Sequence, residues 1–395
     1  MNRFCAAALI LLVCFGVLTA WVPARWAPGA FQAGAFLLAA VWTANATLRR
    51  RPLAGGLLLI PLAGTVFWAL MQLGANQTVY RWETWNAALF WAANFALCFL
   101  AIQVSAEPPA AGRFFVSLVG FAFGLSVVAT VQRFTAADRV FWIFPGGGAH
   151  FVMGPFLYHN HYAAFIELTL PPALVAAVRD RSRTAFYTLA SAAMYSSVIA
   201  SASRSGFVLV SAEIAVVLLV AMRHQWIPPH FYARFVAALA GLIAVFTLVV
   251  GPEVLWDRFH EPDRGRPQML RSTLDMVRAR PWMGFGLGAW SAVYPAYARY
   301  DDGLAANQAH NDWAQWAAEG GLPFFALLLF VAVRSARPAV DSGWGLGVLC
   351  VFAHCLVDYP LQKPVLAGLF SILLGFLITY EKRKSHPAPA AALTS

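Results

Sequence analysis

The chain has 395 residues, of which 60% are hydrophobic and 12% charged, and its mean hydropathy is +0.63. A soluble protein of this length needs far more polar surface, so a multidomain soluble enzyme is excluded. The formal charge of +10 at pH 7 suggests nucleic acid, but most Arg and Lys residues sit at connections between apolar stretches, where they orient a helical bundle.

In chain order, apolar stretches predict spans near 5–21, 30–48, 53–71, 85–105, 114–132, 160–178, 185–201, 205–222, 235–251, 321–336, 344–358 and 364–380. The first could pass for a signal peptide, but no small-x-small cleavage site follows, and Val13 is too large for lipoprotein processing at Cys14. It is read as a retained helix. The cysteines (Cys5, Cys14, Cys98, Cys350, Cys355) all lie in apolar stretches and read as small buried hydrophobes. Basic residues cluster at alternate connections: Arg49 to Arg51, Arg113, Arg179 to Arg183, Arg223 and Arg234, Arg334 and Arg337, and Lys382 to Lys384. Positive connections mark the cytoplasmic side, which places both termini inside.

The expected architecture is therefore an all-α integral membrane protein with about 12 transmembrane helices. Residues 1–251 supply helices 1–9, and 252–320 form one long loop outside the cytoplasm, containing short helices and the candidate catalytic residues. Residues 321–384 supply helices 10–12, and 385–395 form a Pro/Ala-rich disordered tail. A shorter outer connection, 133–159, joins the long loop. The long loop carries seven arginines against the positive-inside pattern, and an anionic ligand on that side explains them most simply.

Tyr158-His159-Asn160-His161 opens a span containing Glu167, an intramembrane carboxylate that serves either function or helix–helix hydrogen bonding. Ser203-Arg204-Ser205-Gly206 joins two spans with almost no loop. Arg204 there either snorkels to headgroups or grips a phosphate bidentately. The segment from Gly265 to Pro281 has apolar positions Leu270, Leu274 and Val277 at helical period, which a surface helix on the membrane also explains. Arg264, Arg271 and Arg278 are seven apart and so share one face, and Arg266 stands near its start. The run Gly284-Phe285-Gly286-Leu287-Gly288 lacks the strand and helix context of a nucleotide-binding loop. At His310-Asn311-Asp312, either Asn311 or Asp312 can cap a short helix that Gly320 terminates, one residue after Glu319. His310 before that helix is either a general base or a hydrogen-bonded structural residue. His354 and Asp358, four apart, form either a structural or a catalytic pair. His159 and His161 lack a third ligand at usable spacing, so no metal site is expected.

In order and spacing across residues 155–365, these motifs resemble the O-antigen ligase and polymerase family, membrane glycosyltransferases of bacterial envelope assembly. The resemblance rests on Ser203 to Gly206, Arg266 before Pro281, Gly284 and Gly286, His310-Asn311-Asp312 with Glu319 and Gly320, and His354 with Asp358-Tyr359-Pro360. Tyr158 to His161 looks like the family's Asn-rich opening of a middle span. The N-terminal third is similar only in hydropathy, and Leu270 stands where such sequences often carry an aromatic, so Arg266 and Arg271 are both retained.

The resemblance implies a glycan donor on undecaprenyl pyrophosphate, met at the periplasmic face of the bacterial inner membrane and transferred whole to an acceptor; the lipid A core is the expected acceptor, in the absence of a large added soluble domain, and a single displacement is expected to invert the anomeric carbon. It implies neither metal, cofactor nor nucleic acid. Arg204 with Arg266 or Arg271 would hold the pyrophosphate, and His310 would orient or deprotonate the acceptor hydroxyl. Asn160, His161, Arg278, Asn311, Asp312, Glu319, His354 and Asp358 complete the expected substrate-binding set. Polymerase and protein O-oligosaccharyltransferase activities are the alternatives within the family. A secondary transporter or an envelope assembly protein is the alternative outside it, and the absence of a visible internal repeat argues against a transporter.

Overall fold

A computed structural model describes residues 1–147, 152–226, 228–251, 256, 265–299, 303 and 305–385. The helices are α1 (Asn2–Leu18), α2 (Trp26–Leu48), α3 (Leu59–Gly74), α4 (Arg81–Ser105), α5 (Pro108–Thr135), α6 (His159–Arg179), α7 (Thr184–Ala200), α8 (Arg204–Arg223) and α9 (Pro229–Val250). They continue as α10 (Arg266–Ala279), α11 (Trp290–Val293), α12 (Asp312–Ser342), α13 (Leu346–His354) and α14 (Pro364–Ser385). A two-residue hairpin, Arg139–Val140 against Phe144–Pro145, lies between α5 and α6. Arg264 and the tail beyond Ser385 lie outside the described residues.

A helix stands at each expected span, but not all have spanning length. Among the described residues, eight helices are long and apolar enough to cross a membrane: α2, α4, α5, α6, α8, α9, α12 and α14. Helices α1 and α3 are shorter apolar helices, and α7 has 17 residues, the lower limit for a span. Helix α13 has 9 residues, about 13 Å at 1.5 Å per residue, too short to cross alone. The chain leaves it at His354 and returns through a loop carrying Asp358.

Burial grades the bundle. In α6, 94% of the most apolar window is buried, against 78% in α14 and 17% in α9. Helix α6 is thus the axis, packed by α7, α8, α13 and α14, whereas α9 lies at the edge. Leu11, Leu37, Phe67, Leu248 and Val333 point outward, as a lipid-facing surface requires. Within α6, Pro171 and Pro172 remove the amides that would bond the carbonyls of Glu167 and Leu168. Helix α13 approaches there through Gly347, where a Cβ would stand 2.2 Å from the Glu167 carbonyl oxygen. Two turns further along α13, Nδ1 of His354 meets Oε1 of Glu167 at 2.7 Å.

Helix α10 forms as predicted, and the face it buries is not the apolar stripe of Leu270, Leu274 and Val277. Ser272, Thr273 and Met276 face inward, and Leu274 is 39% exposed. The cause is Trp290, whose indole donates to Thr273 at 3.1 Å and draws that face onto the small cluster of Met276, Phe285 and Tyr294.

Candidate active site

The site is built around the loop between α13 and α14. Asp358 is fully buried there, and four side chains converge on it. Arg266, the first residue of α10, places Nη2 3.4 Å from Oδ2 of Asp358 and donates to the Tyr158 hydroxyl at 2.8 Å and the Val357 carbonyl at 3.2 Å. Tyr158 in turn donates to Oδ2 of Asp358 at 2.8 Å. Asn160 donates to the same carboxylate through Nδ2. His310 brings Nδ1 to 3.5 Å from Oδ1, within ion-pair reach but beyond a normal hydrogen bond. Burial alone would raise the Asp358 carboxyl, but the neighbouring His310 imidazole and Arg266 guanidinium outweigh it and hold the group well below the usual carboxylate range. Burial, then the Asp358 charge, pushes the Tyr158 phenol well above its ordinary value, so it remains a donor.

The residues after His310 hold this loop in place. Asn311 caps α12, accepting from the Ala314 amide at 2.8 Å while donating to the Leu356 carbonyl at 2.7 Å. Asp312 accepts from the Leu361 amide at 3.0 Å and from Gln362 at 2.7 Å, and its own amide donates to the carbonyl of Cys355 at 2.9 Å. Both ends of the loop bearing Asp358 are therefore tied to the start of α12. His310 itself has φ of 51°, in the left-handed region, at a strain of ~1–3 kcal/mol.

The Ser203 to Gly206 turn packs beneath. The Ser203 hydroxyl caps α8 by accepting from the Gly206 amide at 3.1 Å, and donates to Oδ1 of Asn160 at 2.7 Å. The Ser205 hydroxyl lies 2.9 Å from Nε2 of His354, whose Nδ1 is the atom bonded to Glu167. His354 is thus engaged on both ring nitrogens, inside the bundle and not in the Asp358 cluster. Arg204 opens α8 between the two serines.

The other expected residues separate. Arg271 is exposed on α10, and five residues from Arg266 turn it about 140° around the helix. Arg278 is also exposed and pairs with Asp275 at 2.7 Å, about 18 Å along the axis from Arg266. The Glu319 carboxylate is taken up by the amides of Gly288 and Trp290, at 2.9 and 3.1 Å, and by Gln315. It fixes the glycine run to the kink at Gly321, which has φ of 73°. His161 turns the other way, its ring edge-on to Tyr359 at 4.8 Å. Tyr158 and Tyr359, which stacks on it at 5.8 Å, stand in two of the motifs that carry the resemblance but not among the expected site residues, although Tyr359 adjoins Asp358 and Tyr158 stands two residues before Asn160. Among the described residues no group of three or more His, Cys, Asp or Glu is arranged to hold a metal ion.

An all-α chain with many apolar helices and an Arg–Asp–His cluster at their ends defines a multi-pass membrane protein with a polar site. Residues 173–331 match the family model described as O-antigen ligase. Members are glycosyltransferase-like enzymes, ligases or polymerases in the broad sense, with lipid-linked glycans as substrates. The match includes Arg204, Arg266 and His310 and ends before Asp358. No curated protein matches the chain.

Proposed function

We propose that the protein is an O-antigen ligase-like glycosyltransferase that moves a glycan from undecaprenyl pyrophosphate to the lipid A core, at the periplasmic face of the bacterial inner membrane. The observation that carries this reading is the meeting of Arg266 and His310 on one buried carboxylate, from segments otherwise far apart in sequence. Arg266, supported by Arg204 at the head of α8, neutralises the pyrophosphate and stabilises it as the leaving group. Asp358 orients His310 through Nδ1, leaving Nε2 to take the proton of the acceptor hydroxyl as its oxygen attacks the anomeric carbon. The carboxylate then stabilises the imidazolium. A single displacement inverts the anomeric centre. In this reading Arg271 and Arg278 are attracting charges at the rim, and Asn311, Asp312 and Glu319 are positioning residues.

The test is transfer by purified protein from a lipid-linked glycan to lipid A core, to a second lipid-linked repeat and to a protein acceptor, without added metal. Transfer to the core alone is expected. Transfer only to the repeat or to protein would move the assignment to a polymerase or an oligosaccharyltransferase. No transfer, with uptake of a solute into vesicles instead, would favour a secondary transporter.

A further inference from the structure

Behind the Arg266–Asp358 cluster lies a cavity of about 450 Å³, within the range of small-molecule sites (~300–1,000 Å³). It is enclosed by the end of α1 and the start of α2 on one side, and by the tyrosine pair and the start of α14 on the other. Tyr158 and Tyr359 are shared walls: the Tyr158 hydroxyl serves Asp358, His310 packs edge-on to Tyr359 at 4.9 Å, and both rings line the cavity. Trp21 and Phe31 add aromatic faces opposite. Besides Thr19, two basic side chains break this lining. Lys363 reaches over the Tyr359 ring at 5.9 Å, and His161, only 4% exposed, holds an Nε2 with no hydrogen-bond partner. A buried polar atom without a partner is rare unless a ligand or water satisfies it.

We propose that this cavity seats an acidic sugar of the acceptor glycan, its ring against the aromatic walls and its phosphate or carboxylate between Lys363 and His161. The proposal rests on the glycosyl-transfer reading for the word acceptor, since the donor's pyrophosphate then takes the Arg266 side of the same wall. The chemistry of the cavity speaks for the rest. Aromatic faces offer broad apolar contact to a sugar ring, a lone ammonium selects an anion over a neutral sugar, and the imidazole adds a directional hydrogen bond. Such a sugar would rest against the same two tyrosines that contact His310 and Asp358.

The test uses the full-length protein in lipid nanodiscs, with tryptophan fluorescence reporting the cavity through Trp21 and Trp21→Phe as the signal control. Glucose 6-phosphate, glucuronate, glucose and inorganic phosphate are the probes. The two acidic sugars should bind at least about tenfold more tightly than glucose or inorganic phosphate. Lys363→Met and, independently, His161→Phe should each erase about tenfold of that affinity, with partial recovery in Lys363→Arg. In the transfer assay, Lys363→Met should raise KM for the acceptor and leave KM for the donor unchanged. Equal binding of glucose, tighter binding of free phosphate, or indifference to both variants would overturn the proposal. Acidic-sugar binding without any transfer would instead sink the glycosyl-transfer reading while keeping the cavity an acidic-saccharide site. Transfer with an acceptor KM indifferent to Lys363 would do the reverse.

Discussion

His310 is the residue on which strain and proposed chemistry coincide. Its φ of 51° is one that glycine adopts freely, so His310→Gly relieves a strain of ~1–3 kcal/mol while removing the imidazole that faces the Asp358 carboxylate, and the two opposed effects should leave Tm little changed. The same variant should lose at least ~100-fold in transfer, the usual contribution of a positioned base. Near-normal transfer would remove the base role, and a large drop in Tm would mean that the imidazole is chiefly structural. Asp358 offers a second test, through pH. Its folded pKa lies below the ordinary value of ~3.9, so its ionised form is favoured by folding. The stability it contributes is complete at neutral pH and declines only as pH falls through and below about 4. Wild-type protein should therefore lose stability below about pH 4 more steeply than Asp358→Asn, which should already be less stable at pH 7 by on the order of 2 kcal/mol. Superimposable acid profiles would count against this pairing.

At the scale of elements, the kinked α12 organises the site from two directions. Its first turn ties down the loop carrying Asp358, and its Glu319–Gly321 corner receives the glycine run through the bonds of Phe285 and Gly286 amides to the Ala318 and Glu319 carbonyls. At Gly321 a Cβ would stand 2.3 Å from the Trp282 carbonyl oxygen, on a backbone that is already left-handed. Gly321→Ala should therefore lower stability by ~1–3 kcal/mol, read as a fall in Tm, and a neutral result would contradict the packing described. Asp312→Ala should cut transfer without touching substrate. Asp312→Asn should recover part of it, because its amide oxygen can still accept from the Leu361 amide or Gln362. Part of this was readable beforehand: the cap at Asn311 follows from local backbone chemistry, whereas the short helix expected to end at Gly320 instead kinks at Gly321 and continues to Ser342. The choice of Arg266 over Arg271 was not. Both fit the helical pattern of α10, and what separates them is the position of a loop 92 residues away, set by tertiary packing. The face that α10 turns inward was not legible either, since Trp290 holds Thr273 and Met276 against its cluster while the more apolar Leu274 stays exposed.

For the whole molecule, hydropathy located a helix at every expected span, because apolar stretches in lipid can close their hydrogen bonds only as helices. It could not reveal that α13 stops after 9 residues, since the carboxylate loop that follows is masked by flanking Leu356 and Val357. Orientation is tested by single cysteines in a cysteine-free background. A Cys at Ser182 should react with a membrane-impermeant maleimide only after the cells are opened, and one at Gln308 should react in intact cells whose outer membrane is permeabilised. The opposite pattern would put the Arg266–His310 cluster in the cytosol and end the periplasmic proposal. The burial of α6 has a bearing on how the protein is made. A segment carrying His159, Asn160, His161, Glu167 and two prolines is a poor candidate for release into lipid by itself. Screened from lipid by its neighbours in the finished bundle, it is free to carry these groups. Its enclosure draws on helices from both halves of the chain, α7 and α8 on one side and α13 and α14 on the other, so the polar centre is closed off from lipid only when the last helices have been added.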